Sequence, residues 1–222
     1  MSAPPSTSPT APRTIEVFAD LRCPFTHVGL HRLVERRHAL GRDHVALVVR
    51  AWPLELVNAA PLDPAAIAEE VDALRHQVAP DLFSGFSPDR FSSTSLPGLR
   101  LVAGAYALGL EPGERVSLAL RRALFEEGRD ITDPAVLREV GAEAGVPDTA
   151  SVTAPVSAAT DEDVLADWRE GQRRGVIGSP HFFVGEDSWF CPSLDISRDG
   201  GRLRIASDPA EFDRFVAACL GS

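Results

Sequence analysis

The stretch FADLRCPFTHVGLHRL, residues 18–33, constrains the fold of this chain more than any other part of the sequence. An apolar run over 15–19 is typical of a buried strand, and it leads into Cys23-Pro24. Proline suits the first turn of a helix, where its missing N–H leaves no hydrogen bond unmade. Leucines recur behind it at helical spacing until Gly41. The pattern therefore predicts a strand followed by a cysteine at the start of an amphipathic helix.

The rest of the chain divides into regions of different pattern. A β-branched run over 45–52 predicts a second strand, and a strand–helix–strand unit of this length has parallel strands. From 61 to 157 the periodicity is helical, and from 158 to 222 a helix, two strands and a final helix follow. Asp-Pro pairs at 63–64, 133–134 and 208–209 mark helix starts.

The sum of these elements predicts an α/β fold of the thioredoxin type, a mixed sheet with flanking helices. We expect this domain to be built from 15–60 and 158–222, with a large all-helical insertion over 61–157. Residues 1–14 are rich in Pro, Ser and Thr and are expected to form a disordered tail.

Within the helical region, residues 80–97 form an irregular stretch that carries Phe83, Phe86 and Phe91. Long loops with aromatic residues can serve as lids or pocket walls. The alternative is that these side chains fill the core of the insertion. The sequence leaves both interpretations open.

Charge and cysteine content narrow the class of protein. The net charge of −10 repels the phosphates of nucleic acids and acidic membrane surfaces, so neither is expected as a partner. No apolar run approaches the ~18 residues that span a bilayer. The first residues lack the segments of a secretory signal, and three scattered cysteines do not form a disulfide framework. These features predict a cytoplasmic protein.

A cysteine in the first turn of a helix is in a position that favours its thiolate. Unpaired backbone N–H groups and the positive end of the helix dipole face it, and such sites lower a thiol pKa from about 8.5 to roughly 3.5–7.5. Arg22 and His27 are candidates for additional positive charge, and Thr26 is a candidate for a hydrogen bond to the sulfur of Cys23. The alternative is a buried, unreactive cysteine that behaves as a small apolar side chain. We expect the activated thiol.

A second short motif is expected to lie beside this cysteine. In GVIGSPHFFV, residues 175–184, Ser179-Pro180 opens the strand that a thioredoxin-type sheet places next to the first one. In that fold the proline is cis, which would leave the backbone of Ser179 free to pair with an extended thiol substrate. The alternative is an ordinary proline in a turn.

Four stretches, in this order, resemble the DsbA-like branch of the thioredoxin superfamily in its cytoplasmic form. They are FADLRCPFT, FSSTSLPGLRLVAGAYALG, LALRRALFEEGRDITDPAVLREVGAEAGV and GVIGSPHFFV. The branch includes FrnE-type oxidoreductases, 2-hydroxychromene-2-carboxylate isomerases and kappa-class glutathione transferases. The resemblance extends from residue 15 to the C-terminus, and it implies the thioredoxin fold with a helical insertion.

The resemblance also implies roles for individual residues. Cys23 matches the nucleophilic cysteine of the oxidoreductases, or the serine that holds the thiolate of glutathione in the isomerases and transferases. Pro180 matches the cis-proline. Thr26 stands where dithiol oxidases have the cysteine that resolves their mixed disulfide by internal attack. The other residues expected to bind a thiol or substrate are Pro24, Phe25, His27 and Ser179.

Without that second cysteine, Cys23 would work as a monothiol. It could exchange mixed disulfides with glutathione or another low-molecular-weight thiol, which would be a cosubstrate rather than a tightly bound cofactor. Cys219 falls on the apolar face of the last helix and is predicted to be a core residue. Cys191 is expected two strands from Cys23, roughly 10 Å at the ~4.8 Å strand spacing, whereas a disulfide needs Cα atoms within about 7 Å. A Cys23–Cys191 bond is therefore not expected without movement.

His27, His31 and Glu35 follow one another at i, i+4 and i+8 along the polar side of the first helix. Such a stripe could bind zinc, but it is more often a solvated face. No metal site is expected.

Three hypotheses for the function follow. The first is a DsbA-like thiol–disulfide oxidoreductase that acts through Cys23 on a small thiol or on a protein thiol or disulfide. The second is a glutathione-type transferase or isomerase in which Cys23 and Thr26 bind a thiolate without exchanging with it. The third is a non-catalytic binding protein that keeps the fold. The sequence does not identify the substrate or the oligomeric state, and a homodimer is one of the possible states.

Overall fold

The structure of the protein, a computed structural model, describes residues 14–146 and 161–221. Its main sheet has four strands in the order β2-β1-β3-β4. They are β1 (Thr14–Ala19), β2 (Ala46–Ala51), β3 (His181–Val184) and β4 (Asp187–Phe190). β1 pairs in parallel with β2 and antiparallel with β3, so that Val17 lies between Val49 and Phe182. This mixed sheet confirms the predicted fold class.

Helices flank the sheet and fill the segment between β2 and β3. They are α1 (Pro24–Ala39), α2 (Leu54–Val57), α3 (Pro64–Gln77), α4 (Leu96–Leu108), α5 (Leu110–Phe125), α6 (Pro134–Glu143), α7 (Asp161–Arg173) and α8 (Pro209–Leu220). In α3, α6 and α8 an aspartate side chain caps the helix and a proline follows at the first helical position. Asp63, Asp133 and Asp208 accept the N–H groups of Ala65, Ala135 and Glu211. Local chemistry therefore sets these three helix starts, as the Asp-Pro pairs predicted.

Two apolar cores meet around the start of α1. One lies between the sheet and the helices α1 and α8, where the rings of Phe182 and Phe215 have centroids 4.8 Å apart. The other fills the helical segment and includes Leu21 and Val28, which lie on either side of the first turn of α1. The start of α1 is thus enclosed between the sheet and the helical layer.

The outer edge of β2 is closed by side chains from the helices. Unpaired N–H groups along an edge strand are a ready site for pairing with another chain. Here the N–H of Leu47 donates to Glu114, that of Val49 to the Tyr106 hydroxyl, and that of Ala51 to Asp167. These bonds fix α4, α5 and α7 against the sheet.

A second, two-stranded sheet was not predicted from the sequence. Its strands, β5 (Leu194–Asp199) and β6 (Arg202–Ser207), pair antiparallel around a Gly-Gly turn. Only Leu194 and Ile205 of the hairpin are buried. Both strands do alternate apolar and polar residues, over Leu194–Ser197 and Arg202–Ile205, so the strand signal was present in the sequence and was missed.

The structure also refines the predicted boundaries and the predicted loop. β1 begins at Thr14, which the sequence pattern assigned to the tail. Phe83 is fully buried, and its ring packs edge-on against Phe125 with centroids 5.4 Å apart. The interpretation in which the phenylalanines of 80–97 fill the core is therefore confirmed for Phe83. The end of the insertion at residue 157 lies outside the described residues, so its boundaries stay a prediction.

Candidate functional site

Cys23 is the N-cap residue of α1. Its backbone is extended, with φ −80° and ψ 114°, and Pro24 follows at the first helical position. Asp20 closes the turn before the helix: its side chain accepts the N–H of Arg22 at 2.7 Å, and its carbonyl accepts the N–H of Cys23 at 3.4 Å. The thiol therefore lies at the start of the helix, as the sequence predicted.

Ser179 and Pro180 lie opposite Cys23, and the peptide bond between them is cis. The carbonyl oxygen of Ser179 accepts the S–H of Cys23 at 3.1 Å. The side-chain oxygen of Ser179 accepts the N–H of Asp20 at 2.9 Å and lies 2.8 Å from the hydroxyl of Thr26. Ser179 thus joins the turn before α1, the cysteine and the first turn of α1 in one hydrogen-bonded network.

Burial dominates the electrostatics of this thiol. Cys23 is 3% exposed, and its burial raises its pKa above the ordinary value. Hydrogen bonds from the side chain and backbone of Thr26 act to lower the pKa, while the charge of Glu70 adds to the rise. The lowered pKa that we expected from the helix N-terminus is therefore wrong for this closed arrangement. Cys23 is here a protonated thiol that donates to Ser179.

Two more residues predicted to bind a thiol, Pro24 and Phe25, lie beside Cys23 in the first turn of α1. Pro24 is buried, and Phe25 is partly buried against the apolar core of the helical segment. They add apolar surface to the first turn of α1, and their predicted role in binding stays a prediction.

The ring of His27 is directed into the helical layer. Its Nε2 lies 2.7 Å from a carboxylate oxygen of Glu126, and its ring centroid lies 5.3 Å from that of Phe83 and 5.0 Å from that of Phe125. Burial lowers the pKa of His27, and Glu126 only partly opposes this. At neutral pH His27 is therefore an uncharged ring that donates to Glu126, and it adds no positive charge next to Cys23.

The carboxylate of Glu126 accepts hydrogen bonds from other donors besides His27. It accepts the backbone N–H groups of Phe83 at 2.7 Å and Ser84 at 3.0 Å. Burial acts to raise the pKa of Glu126, but the hydrogen bonds from His27, Phe83 and Ser84 outweigh it and lower the pKa to about 2. This carboxylate therefore fastens α1 to the loop that carries Phe83.

Arg22, the other predicted source of positive charge, is fully buried. Its guanidinium donates to the carbonyls of Ser92 and Ser93 at 3.3 and 3.0 Å and to Glu55 at 2.9 Å. The charge of Arg22 is therefore paired with that of Glu55, and the side chain ties the turn before Cys23 to the helical layer.

Two charged residues near Cys23 were not predicted from the sequence. Arg121 of α5 is 1% exposed and donates from Nη2 to the carbonyl of Asp20 at 3.1 Å; burial lowers its pKa to about 10. Glu70 of α3 lies one turn after the buried Ile67, and burial raises its pKa to about 7. The only signal in the sequence was a charge on the apolar stripe of each helix.

Neither Cys23 nor Cys191 is in a disulfide. Cys219 is fully buried in the core between the sheet and α8, which confirms the prediction for it. Cys191 is 5% exposed, and its N–H donates to the carbonyl of Pro180 at 3.1 Å. Burial raises the pKa of Cys191 to about 12, and the charge of Cys23 adds to this rise. Cys191 therefore lies next to the cis-proline, with no bond to Cys23.

The polar stripe on α1 does not gather metal ligands. His27 is held by Glu126, and Nε2 of His31 lies 3.3 Å from Glu35 on the exposed surface. Over residues 14–146 and 161–221, no group of three or more His, Cys, Asp or Glu side chains is placed to hold a metal ion. Within the same residues, no helix has the length and apolar character needed to cross a bilayer.

Known proteins share this architecture. The family model of the DSBA-like thioredoxin domain matches residues 14–197. The probable DsbA oxidoreductase of Streptomyces coelicolor is 21% identical with a TM-score of 0.64, and the match covers 95% of this chain and 91% of that one. The cytosolic disulfide reductase DsbM of Pseudomonas aeruginosa is 19% identical with a TM-score of 0.55, with 94% and 92% covered.

A 2-hydroxychromene-2-carboxylate isomerase is 18% identical with a TM-score of 0.56, and the match covers 80% of this chain and 88% of that one. Among curated proteins, none matches this chain at a significant level. At these identities the solved structures establish the fold alone.

Proposed function

Because this chain belongs to the family of DSBA-like thioredoxin domains, we propose that it is a thiol–disulfide oxidoreductase whose single working thiol is that of Cys23. The observation that carries the proposal is the position of the sulfur. It lies at the N-cap of α1, 3.1 Å from the carbonyl of Ser179, which precedes the cis-proline. A disulfide that enters here would meet the sulfur and an adjacent backbone acceptor together.

The chemistry is two successive thiol–disulfide exchanges. The thiolate of Cys23 attacks one sulfur of a substrate disulfide, which breaks the S–S bond and releases the other half as a thiolate. The product is a mixed disulfide on Cys23. A second, external thiolate then attacks the substrate sulfur of that mixed disulfide, forms a new disulfide, and returns Cys23 as a thiolate.

An external thiol is required because residue 26 is a threonine and not a second cysteine. The hydroxyl of Thr26 can donate to the sulfur of Cys23 but cannot displace a bound thiol, so the mixed disulfide waits for a thiol from solution. The low-molecular-weight thiol that we propose is glutathione or a thiol of similar size. One structural relative, the disulfide reductase DsbM of Pseudomonas aeruginosa, has been solved with GSH, which supports this choice.

Formation of the thiolate is coupled to opening of the site. Burial is the largest cause of the raised pKa of Cys23, so a movement that admits water or substrate to the sulfur removes most of the penalty. Once Cys23 loses its proton, the carbonyl of Ser179 loses its donor and becomes free to accept a backbone N–H from the substrate. We place this chemistry in the reducing cytoplasm, because the three cysteines lie too scattered in the sequence for a disulfide framework.

The test is turnover of a mixed disulfide between glutathione and a small thiol, with reduced glutathione as the second substrate. Cys23→Ser should abolish turnover, because serine cannot form the mixed disulfide. Cys219→Ser is the matched control, since Cys219 is fully buried in the opposite core, and it should retain turnover within about twofold. Turnover that survives in Cys23→Ser would remove the thiol from the mechanism.

A second candidate is a transferase or isomerase that holds a thiolate without exchanging with it. One observation favours it: Cys23 is protonated here and donates its S–H, which is how a serine hydroxyl would hold the sulfur of glutathione. The same variant separates the two candidates. A conjugation or isomerisation activity with glutathione that persists in Cys23→Ser supports the second candidate, and loss of that activity with loss of disulfide turnover supports the first.

A further inference from the structure

A buried guanidinium lies behind Cys23. Arg121 projects from α5 and is 1% exposed. Its Nη2 donates to the carbonyl oxygen of Asp20 at 3.1 Å, and the N–H of Cys23 approaches the same oxygen at 3.4 Å. The side chain of Arg121 and the backbone of Cys23 therefore share one hydrogen-bond acceptor, although the two residues are far apart in sequence.

The remaining donors of this side chain have no partner. Neither Nε nor Nη1 of Arg121 makes a hydrogen bond to any described residue. A buried donor left unpaired costs roughly 1–3 kcal/mol, and more when it is charged, so native proteins keep few of them. Arg22 and Arg37 each leave only Nε unpaired, whereas Arg121 leaves two donors that can serve a negative group beside it.

Arg121 also differs from the other buried arginines. Arg22 and Arg37 are ion-paired with Glu55 and Glu114. Among the described residues, no carboxylate lies within ion-pair distance of Arg121. Burial lowers the pKa of Arg121 to about 10, and the groups that oppose this fall are Asp20, Cys23 and Tyr106; burial raises the pKa of the Tyr106 phenol, which therefore stays neutral. The Asp20 carboxylate already has a cation, since its Oδ1 lies 3.8 Å from Nε of the buried Arg22, which leaves the thiolate of Cys23 as the negative charge without a counter-charge.

We propose that Arg121 is the positioning residue that stabilises the thiolate of Cys23, and that its guanidinium is the counter-charge for this anion. The proposal rests on the proposed function, in which Cys23 must ionise to react. The step itself is the loss of the S–H proton to solvent. The negative charge that remains on the sulfur offsets the positive charge buried beside it.

Other groups around Cys23 act differently. The charged or titratable groups of this region, besides Arg121, are Asp20, Arg22, Glu70, His27 and Cys191, together with Glu55 and Glu126, the partners of Arg22 and His27. Arg22 is paired with Glu55, and His27 is uncharged. Glu70 is negative above pH about 7 and disfavours the thiolate. Arg32 of α1, which faces Cys191, is only partly buried and donates to the carbonyls of Ser193 and Val78. Arg121 is thus the fully buried cation of this region that lacks a carboxylate partner among the described residues.

The test is the pH dependence of alkylation of the Cys23 peptide, followed by mass spectrometry in the full chain. Arg121→Met and Arg121→Gln remove the charge and should slow alkylation at pH 7 by about tenfold or more, since a nearby opposite charge shifts a pKa by about one unit or more. Arg121→Lys keeps the charge and should recover most of the wild-type rate. Arg122→Gln is the matched control: Arg122 is the exposed neighbour that pairs with Glu127, and its loss should leave the rate unchanged.

Folding of each variant is checked by circular dichroism. If Arg121→Gln unfolds, Arg121→Met carries the test, because an apolar side chain commonly replaces a buried charge without loss of folding. A folded Arg121→Met with the wild-type pH profile overturns the proposal.

Turnover of the glutathione mixed disulfide, measured beside alkylation, keeps the two claims apart. If the wild-type protein turns over the mixed disulfide and Arg121→Met has the same pH profile of alkylation as the wild type, only the role of Arg121 is contradicted. If the pH profile of alkylation is shifted in Arg121→Met but the wild-type protein does not turn over the mixed disulfide, the proposed function is contradicted and the role of Arg121 is supported.

Discussion

Thr26→Val removes a single hydroxyl from the site and keeps the branched shape of the side chain. That hydroxyl lies 2.8 Å from the side-chain oxygen of Ser179 and also hydrogen-bonds the sulfur of Cys23. Thr26 is fully buried, so water cannot replace the lost bonds. The free energy of unfolding and the thiolate population of Cys23 should both change.

The size of each change follows from the contacts. A buried hydrogen bond contributes about 1 kcal/mol net to stability. The side-chain oxygen of Ser179 keeps the N–H of Asp20, so it is not left without a partner, and the loss of stability should be about 1 kcal/mol. The hydrogen bond from Thr26 acts to lower the pKa of Cys23. If it favours the thiolate over the thiol by about 1 kcal/mol, its removal lowers the thiolate population about fivefold.

Urea unfolding measures the first quantity, and the pH dependence of Cys23 alkylation measures the second. Thr26→Ser is the matched control, because it keeps the hydroxyl and loses only a methyl group; its alkylation should follow the wild type. Wild-type alkylation of Thr26→Val at every pH would refute the role of the hydroxyl. Equal slowing in Thr26→Ser and Thr26→Val would assign the effect to packing instead.

Three other substitutions test the surroundings of the site. Glu70→Gln removes a negative charge that raises the pKa of Cys23, so alkylation above pH about 7 should be faster than in the wild type. Folding raises the pKa of Glu70 from 4.5 to about 7, so its contribution to stability is present below 4.5 and is lost as the pH rises through about 7. Between pH 4.5 and about 7, the free energy of unfolding of Glu70→Gln, measured in urea, should not show this loss. A decline equal to that of the wild type would contradict the role of Glu70. The pKa of Glu126 is instead lowered to about 2, so its contribution is present above 4.5 and is lost as the pH falls through about 2. Glu126→Gln should lower the free energy of unfolding at neutral pH and flatten this acid decline; an unchanged profile would show that the contact with His27 adds no net stability. Thr26→Cys places a thiol where dithiol enzymes resolve their mixed disulfides, so mild oxidation should consume two thiols per chain in a bond to Cys23. Retention of both thiols would show that the two positions do not reach each other.

The parts of the site that lie close together in sequence were predictable. The apolar strand before Cys23, the proline after it and the leucine spacing of α1 are local signals, and the structure places Cys23 at the N-cap. The Asp-Pro helix starts are local in the same sense, since the capping carboxylate and the N–H it accepts are two or three residues apart.

The electrostatics of the site depend instead on contacts between distant segments. The helix N-terminus is a local property and favours the thiolate, whereas burial depends on closure by the Ser179 carbonyl and the helical layer, and burial prevails. Arg121 and Glu70 matter only because α5 and α3 pack beside α1, which no spacing in the sequence reveals. His27 lies where it was expected on the helix, but its partner Glu126 is contributed from the end of α5.

The central claim is that Cys23 alone carries a covalent intermediate with a small thiol. Reduced protein exposed to a slight excess of glutathione disulfide, then measured by intact mass and peptide mapping, tests this claim. We predict one glutathione per chain, attached to Cys23 and removed by reduced glutathione, with Cys191 and Cys219 carrying no adduct. A chain without the adduct, or one that instead forms a Cys23–Cys191 disulfide, would contradict the monothiol mechanism.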